Sequence, residues 1–308
     1  MNTPFQDETS PNNVLFPFTA TRPISDIRIG ILTIREKNAS EADALTSQLQ
    51  YPWHIFQLNE EALISDFYLL TNGRNSQPIP SSVQTIAPEN IFIEEGASIS
   101  YSILNASTGP IYIGKQAIIM EGSFIRGPFA CCEKAVVKMG TKIYGATTIG
   151  PHCTVGGEIK NSVLFGYSNK AHDGYLGDSV IGEWCNLGAG TSNSNLKNNA
   201  GVVKVWDQTT GQFTPAGMKC GLLMGDYSRS AINTSFNTGT VVGVSANVFG
   251  TGLLPKYIPS FSWGTVQNAR YDWGKAIRDI AGWKKLKNQS LSDHEIQTLK
   301  HIFDESKI

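Results

Sequence analysis

Charge of either sign is scarce in excess here: 25 Lys and Arg stand against 26 Asp and Glu, a formal net charge of −1. That balance removes any electrostatic case for a nucleic-acid or membrane-surface partner. No run of about 20 apolar residues occurs, so no membrane-spanning helix is expected. The start, "MNTPFQDETSPNNV", lacks a basic stretch followed by an apolar one, so no secretory signal is expected either. Cysteine is sparse. Cys131, Cys132, Cys153, Cys185 and Cys220 form no C-x-x-C pair and have no histidine at zinc spacing. They read as reduced thiols of a cytoplasmic protein, with no metal site.

What is present is a ruler. Steps of six from Ile113 give Ile119, Ile125, Cys131, Val137, Ile143, Ile149 and Val155. All but Cys131 are aliphatic. Four residues after these come Ala117, Ser123, Ala135, Thr141, Thr147 and Cys153, with Phe129 and Ile159 as larger exceptions. Upstream, Ile93 and Ile99 begin the pattern. Downstream, Ile181 and Leu187, then Met224, Phe236, Val242 and Val248, resume it in shifted frames. A period of six matches neither the 3.6 of a helix nor the 2 of a half-buried strand. A sandwich of short strands would not hold one phase so long. The period fits a parallel β-helix with a triangular cross-section, in which each hexad makes a short strand and a corner and three hexads make a coil. Residues 91–254 would hold roughly seven to eight coils.

The rhythm breaks twice, at 161–180 and 193–221, and both breaks are expected to be insertions. The second contains Val203, Val205, Trp206 and Phe213 around a glycine turn, which reads as a protruding hairpin. The ends differ from the middle. Residues 1–90 hold an apolar, β-rich stretch around "VLFPFTATRPISDIRIGILTIREK", a short helix near 60–70 with Leu63, Phe67 and Leu70 on one face, and a Pro/Ser linker. Residues 255–308 carry two helical segments. The last of these opens on a capping box from Ser292 to Glu295. "WKKLK" at 283–287 reads as a solvated face.

The first break holds "KAHDGYLGDSVIGEWCNLGAGTSNSN". This string, with "GPFA", "NTGTVVGVSAN" and "TATRPISDIRIGILTIREK", resembles the bifunctional N-acetylglucosamine-1-phosphate uridylyltransferase / glucosamine-1-phosphate N-acetyltransferases. A divergent branch of sugar nucleotidyltransferases with a hexapeptide-repeat acetyltransferase domain is the nearer likeness. It covers about residues 14–36 and 51–308. The resemblance implies a mainly β fold: a left-handed β-helix with a truncated α/β N-terminal segment and C-terminal helices. It also implies a homotrimer that takes acetyl-CoA and an amino-sugar phosphate in nucleotide-sugar synthesis. By position, His172 matches the general base, and Tyr175 and Lys160 match groups that hold the sugar phosphate. Asn186 and Asn195 match asparagines near the sugar and the reacting centre. The arginine after "GPFA" falls on Cys131 here, leaving Arg126, Lys134 and Lys138 as replacements between which sequence does not choose.

The other activity of that family, sugar-1-phosphate nucleotidyl transfer, would need a Gly-rich phosphate loop and Mg²⁺ held by carboxylates. "LFPFTATRP" resembles the tail of its signature, but "DETSPNN" before it has no glycine, and 1–90 reads as a remnant of that domain. Nucleotidyl transfer is therefore the alternative, and a non-catalytic paralogue the third reading. For the favoured reading the chemistry is economical. An amine must lose a proton before attacking a thioester, and histidine suits that near neutrality. Blander readings stand beside these assignments: asparagines stack in β-helices for structural reasons, Cys131 and Cys153 sit at inward positions, and His152 after Gly-Pro reads as a surface corner. His54, His294 and His301 carry no signal.

Overall fold

The computed structural model describes residues 13–265 and 269–306. Its centre is a parallel β-helix of hexad repeats, with three ladders of short strands running side by side along one axis. The first ladder stacks Ile91–Ile93, Ile111–Ile113, Phe129–Cys131, Thr147–Ile149, the end of Glu158–Leu164, the end of Tyr175–Ile181, Leu222–Met224, Thr240–Val242 and Tyr257–Ile258. The second runs from Ser98–Ile99 through Val136–Val137, Asn169–Lys170 and Asn186–Leu187 to Asn247–Val248. The third runs from Gln84–Ile86 through Ile103–Asn105, Phe124–Arg126 and Lys142–Tyr144 into the starts of Glu158–Leu164 and Tyr175–Ile181. Every ruler position from Ile113 to Val155 is buried in one interior cluster, and so are Ile181, Leu187, Met224, Phe236, Val242 and Val248.

Within the β-helix three expectations need correction. Residues 161–180 are no insertion. The register advances 18 residues from Ile113 to Cys131 and from Cys131 to Ile149, then only 15 to Leu164 and 17 to Ile181. Two shortened coils shift the hexad frame as an insertion would, yet the ladder is continuous. The step from Ile181 to Met224 is 43 residues, and this true excursion holds the antiparallel hairpin Val203–Asp207 with Gln212–Gly217. That hairpin folds back rather than protruding free: Val203 and Val205 are buried, and Trp206 stacks on Tyr257 at 4.6 Å. The ladders also extend past 91–254 at both ends, from Gln84 to Ile258.

The N-terminal stretch expected to be β-rich is instead a chain of short 3-10 turns, at Asn13–Leu15, Phe18–Ala20, Ile24–Asp26 and Ile34–Glu36, followed by α1 (Ala39–Gln48), α2 (His54–Gln57) and α3 (Asn59–Thr71). Pro17 and Pro23 withhold backbone donors and fix φ, which suits turns better than a paired strand. This region is not a separate body. Leu15, Phe18, Ile27 and Ile29 share one buried cluster with Val163, Val180, Leu223 and Val241, which point outward from the first ladder. Leu63 and Phe67 of α3 cover Phe92, Tyr112 and Ala130 on the same face. First-ladder strands are therefore buried on both sides, which is why "IFI", "IYI", "LLM" and "TVV" are buried throughout and largely apolar rather than alternating.

One corner between the first and second ladders carries non-glycine residues at positive φ: Gln116, Lys134, His152, Tyr167, Trp184, Tyr227, Ser245 and Phe261. In its middle they stack: His152 on Tyr167 at 4.6 Å and Tyr167 on Trp184 at 4.2 Å. Left-handed backbone costs about 1–3 kcal/mol per residue, and aromatic stacking offsets part of it. His152 is thus a packed rung, and burial holds its imidazole below the ordinary range. Trp184, Tyr227 and Phe261 continue into a cluster with α4 (Trp273–Lys285) and α5 (Asp293–Glu305). Helix α5 opens on the expected Ser292/Glu295 capping box. "WKKLK" is not a solvated face: Lys284 pairs with Glu295 and lies over Trp184, Lys287 donates to the His152 carbonyl, and Arg229 lies over Trp283. Among the described residues no helix is long and apolar enough to cross a membrane.

Candidate functional site

The N-terminal segment covers the first ladder, and α4 with α5 packs on the far part of the second. The third ladder is the open one. Its outward residues form two columns: Ile103, Phe124, Lys142, Glu158 and Tyr175 in one, and Ile86, Asn105, Arg126, Tyr144 and Lys160 in the other. Lys160 and Tyr175 lie on adjacent rungs of this face, with Glu158 opposite Tyr175 and Lys160 opposite Gly177.

Tyr175 does not stand out from the sheet. A Cβ at Gly177 would lie 2.2 Å from its hydroxyl oxygen, so the ring lies over the glycine. That brings the hydroxyl to Asn195, whose Nδ2 donates to Tyr175 Oη at 3.1 Å. The same Nδ2 donates to Asp178 Oδ2, and Asn161 Nδ2 donates to Asp178 Oδ1 at 2.7 Å. Asp178 is buried, so this carboxylate is the post around which Asn161, Asn195 and, through Asn195, Tyr175 are arranged. Burial, then Asp178, Tyr144 and Glu158, push the Tyr175 phenol above its ordinary range. It stays a neutral donor. Tyr144 donates to Glu158 Oε1 at 2.7 Å and braces the neighbouring rung.

His172 sits at the corner between the second and third ladders, exposed, with its carbonyl accepting from Lys170 Nζ at 2.6 Å. Its turn needs glycine at 174: φ is +121°, and a Cβ there would meet the Thr191 carbonyl oxygen at 2.0 Å. His172 therefore borders the face that holds Lys160, Tyr175 and Asn195. Asn186 does not join them. It is on the second ladder, in register with Asn169 on one side and Arg229 on the other. Asn169 accepts from Lys287 and Arg229 lies over Trp283, so both neighbours are engaged by the C-terminal helical region.

The lost arginine also finds an explanation. Cys131 is fully buried inside the β-helix, and burial, then Cys132 and Cys153, drive its thiol well above its usual range, so it offers nothing to an anion. Of the three replacement cations only Arg126 stands on the open face, in the column of Lys160 with Tyr144 between them. Lys134 is at the aromatic corner, 3.0 Å from Glu133, and Lys138 follows a second-ladder strand. Sequence reasoning missed Asp178, although it ends the quoted "YLGD", because a buried carboxylate shows no period. Asn161 was missed for the same reason.

The N-terminal signature is differently placed. Arg22 Nη1 is 3.0 Å from Glu183, and Nη2 pairs with Asp226. Thr21 Oγ1 donates to Asp226 at 2.6 Å, and Asp226 Oδ1 accepts the Glu183 backbone N–H at 2.7 Å. Burial opposes the Arg22 charge, but Asp226 and Glu183 outweigh it and hold the guanidinium above its ordinary range. "DETSPNN", the stretch without a Gly-rich loop, begins outside the described residues.

Fold and open face together define a hexad-repeat parallel β-helix. In sequence the chain is a divergent relative of the bifunctional sugar-1-phosphate nucleotidylyltransferase/acetyltransferases. The family described as sugar nucleotidyl transferase matches residues 5–46. A protein of Sulfurisphaera tokodaii, the bifunctional sugar-1-phosphate nucleotidylyltransferase/acetyltransferase, is 30% identical over 203 residues, 64% of this chain and 43% of that protein. The bifunctional protein GlmU of Methanococcus maripaludis is 28% identical over 243 residues, 75% of this chain and 49% of its own length. That of Methanocaldococcus jannaschii is 30% identical over 134 residues, 44% and 30% of the two chains. The chain thus spans half or less of the length of these relatives. Among solved structures, the UDP-N-acetylglucosamine acyltransferase of Arabidopsis matches at a TM-score of 0.29 and 15% identity, covering 74% of this chain and 90% of that one. The enzyme of that name from Francisella novicida matches at 0.24 and 14%, covering 73% and 92%. Scores this low carry no argument here.

Proposed function

We propose that the chain is a transferase that N-acetylates an amino-sugar phosphate, with acetyl-CoA as donor, in nucleotide-sugar synthesis. One observation carries the reading. Lys160, Tyr175 and Asn195 share the open third-ladder face with His172 at its edge, whereas Thr21 and Arg22 of the nucleotidyltransferase-like signature are engaged with Asp226 and Glu183.

In this reading Lys160 and Arg126 hold the anionic phosphate, and the Tyr175 hydroxyl and Asn195 orient the sugar. Lys160 and Tyr175 stand on adjacent rungs about 4.8 Å apart, and Arg126 stands two rungs beyond Lys160, so the phosphate end of the ligand would lie toward Arg126 and its sugar toward Tyr175. Acetyl-CoA supplies an activated thioester. His172 takes one proton from the sugar ammonium as the amine nitrogen attacks the thioester carbon; the C–N bond forms, the C–S bond breaks, and the sulfur leaves as the CoA thiol with the second proton that the nitrogen gives up. Holding the two substrates in register contributes much of the rate. A groove of about 870 Å³ adjoins the site, with Ile86, Ile103 and Phe124 as an apolar floor and Arg126 and Lys142 as cations at its side. Those residues suit a long, partly apolar donor with phosphate groups. Asn186, on another ladder, would serve the site of a neighbouring copy, as the proposed homotrimer allows.

Release of CoA thiol, measured with a panel of amino-sugar 1-phosphates for wild type and His172→Ala, tests the reading. Sugar-dependent release that collapses in the variant supports it. A folded trimer that releases no thiol with any sugar contradicts it and favours the non-catalytic reading. Nucleotidyl transfer, with its Mg²⁺, is the second reading, favoured by the match over residues 5–46 and by the bifunctional relatives.

A further inference from the structure

Among the described inward positions of the β-helix, which also hold Asn193 in register with Phe236 and Ser230 in register with Leu187 and Val248, one carries a charged side chain. Lys170 is in register with Val155, which is in register with Val137, and both valines point inward. Lys170 therefore occupies an inward ruler position and is 1% exposed. Among the described residues no carboxylate pairs with its ammonium. Nζ donates to two backbone carbonyls, Gly156 at 3.2 Å and His172 at 2.6 Å. Burial depresses the amine to about 8, partly opposed by Asp173.

An aliphatic residue here would be cheaper, because burying a charge without a counter-charge costs more than packing a hydrocarbon. The lysine can do one thing that valine cannot: tie the corner of one coil to the corner of the next. That corner is otherwise held by backbone bonds to the neighbouring coils, from Glu158 N–H to the Gly174 carbonyl at 3.2 Å and from Gly190 N–H to the Asp173 carbonyl at 3.0 Å, and the His172 carbonyl takes its bond from Lys170. Gly156, Gly157 and Gly174 surround it, and glycine backbone is the freest. The His172 imidazole has no hydrogen-bond partner among the described residues, so its direction depends on the backbone of its turn.

We propose that Lys170 is a positioning residue, a cation built into the β-helix interior to pin the turn that presents His172 to the open face. The proposal rests on the acyl-transfer reading for its consequence, but not for its geometry. Lys170→Met keeps length and apolarity. The variant should fold with an equal or higher melting temperature, lose about 10- to 100-fold in kcat with KM little changed, and exchange its Asp173 and Gly174 amide hydrogens at least about tenfold faster. Lys170→Gln, which retains a donor, should recover part of both losses. Full kcat together with unchanged exchange in Lys170→Met would overturn the proposal. So would failure of both variants to fold, since the lysine would then serve stability. If the wild type transfers no acyl group, the functional reading fails separately, and the exchange rates of residues 173 and 174 still decide whether Lys170 holds the turn.

Discussion

Two regions of this chain resemble parts of the same bifunctional enzymes, and the fold treats them in opposite ways. In the N-terminal segment, the residues of "TATRP" are turned onto the β-helix. Arg22 is shared between Asp226 and Glu183, and its neighbours cover the first ladder. On the third ladder, Lys160 and Arg126 make no ion pair among the described residues, and His172 is exposed. A signature in sequence records which residues are present. Whether they are free to meet a ligand depends on what packs against them, and here one set acts as fastener while the other stays open.

The contrast can be broken from either side. The largest effect should fall on His172→Ala: about 10²–10⁴-fold less acyl transfer, with a melting temperature within about 1–2 °C of wild type because the residue is exposed. Arg22→Ala should do the reverse. Removing one partner of a buried ion pair costs about 3–5 kcal/mol, visible as a large drop in denaturant midpoint, while kcat of the surviving folded protein changes little. If Arg22→Ala instead left stability intact and abolished an activity, the comparison would be wrong.

Lys170 sharpens it through pH. The folded state holds this amine near 8, whereas an unfolded lysine titrates near its ordinary value of about 10.4. Between those values the unfolded chain binds the extra proton, so stability from this group rises as pH increases from about 8 to about 10.4. The span corresponds to roughly 3 kcal/mol. Chemical denaturation across that range should show the rise in wild type, and a smaller one in Lys170→Met. The smallest effect belongs to the anion handle. Arg126→Ala should raise KM for the sugar phosphate about 5- to 20-fold, roughly 1–2 kcal/mol, the low end for a hydrogen bond to a charged group because the face is exposed to solvent, whereas Lys134→Ala should leave it unchanged. Equal effects of the two would remove Arg126 from the site.

Much of the frame was legible in the sequence, because inward residues of a β-helix repeat and a repeat survives inspection. Ile113 through Val155 announced the interior. The two shortened coils were not legible, since a missing residue and an added one shift the frame alike. Nor was the covering role of the N-terminal segment: Val163, Val180 and Leu223 read as core of one kind, and nothing local says that a distant Leu15 or Phe18 lies on their outer side. For the site, "KAHDGYLGD" pointed to His172 and Tyr175, and register brought Lys160 and Asn195 to them. Asn186 shared the string yet lies on another ladder, because a few residues around a triangular coil change the face. Lys170 was passed over for the same reason as the shortened coil that holds it: its inward position appears only once the register is counted from the strands.

The most direct test of the contrast runs two assays side by side on the wild-type chain: CoA-thiol release from acetyl-CoA with amino-sugar 1-phosphates, and pyrophosphate release from nucleoside triphosphates with sugar 1-phosphates and Mg²⁺. The account predicts thiol release without pyrophosphate release. Pyrophosphate release without thiol would contradict it, and would mean that the segment read as a fastener is the working half.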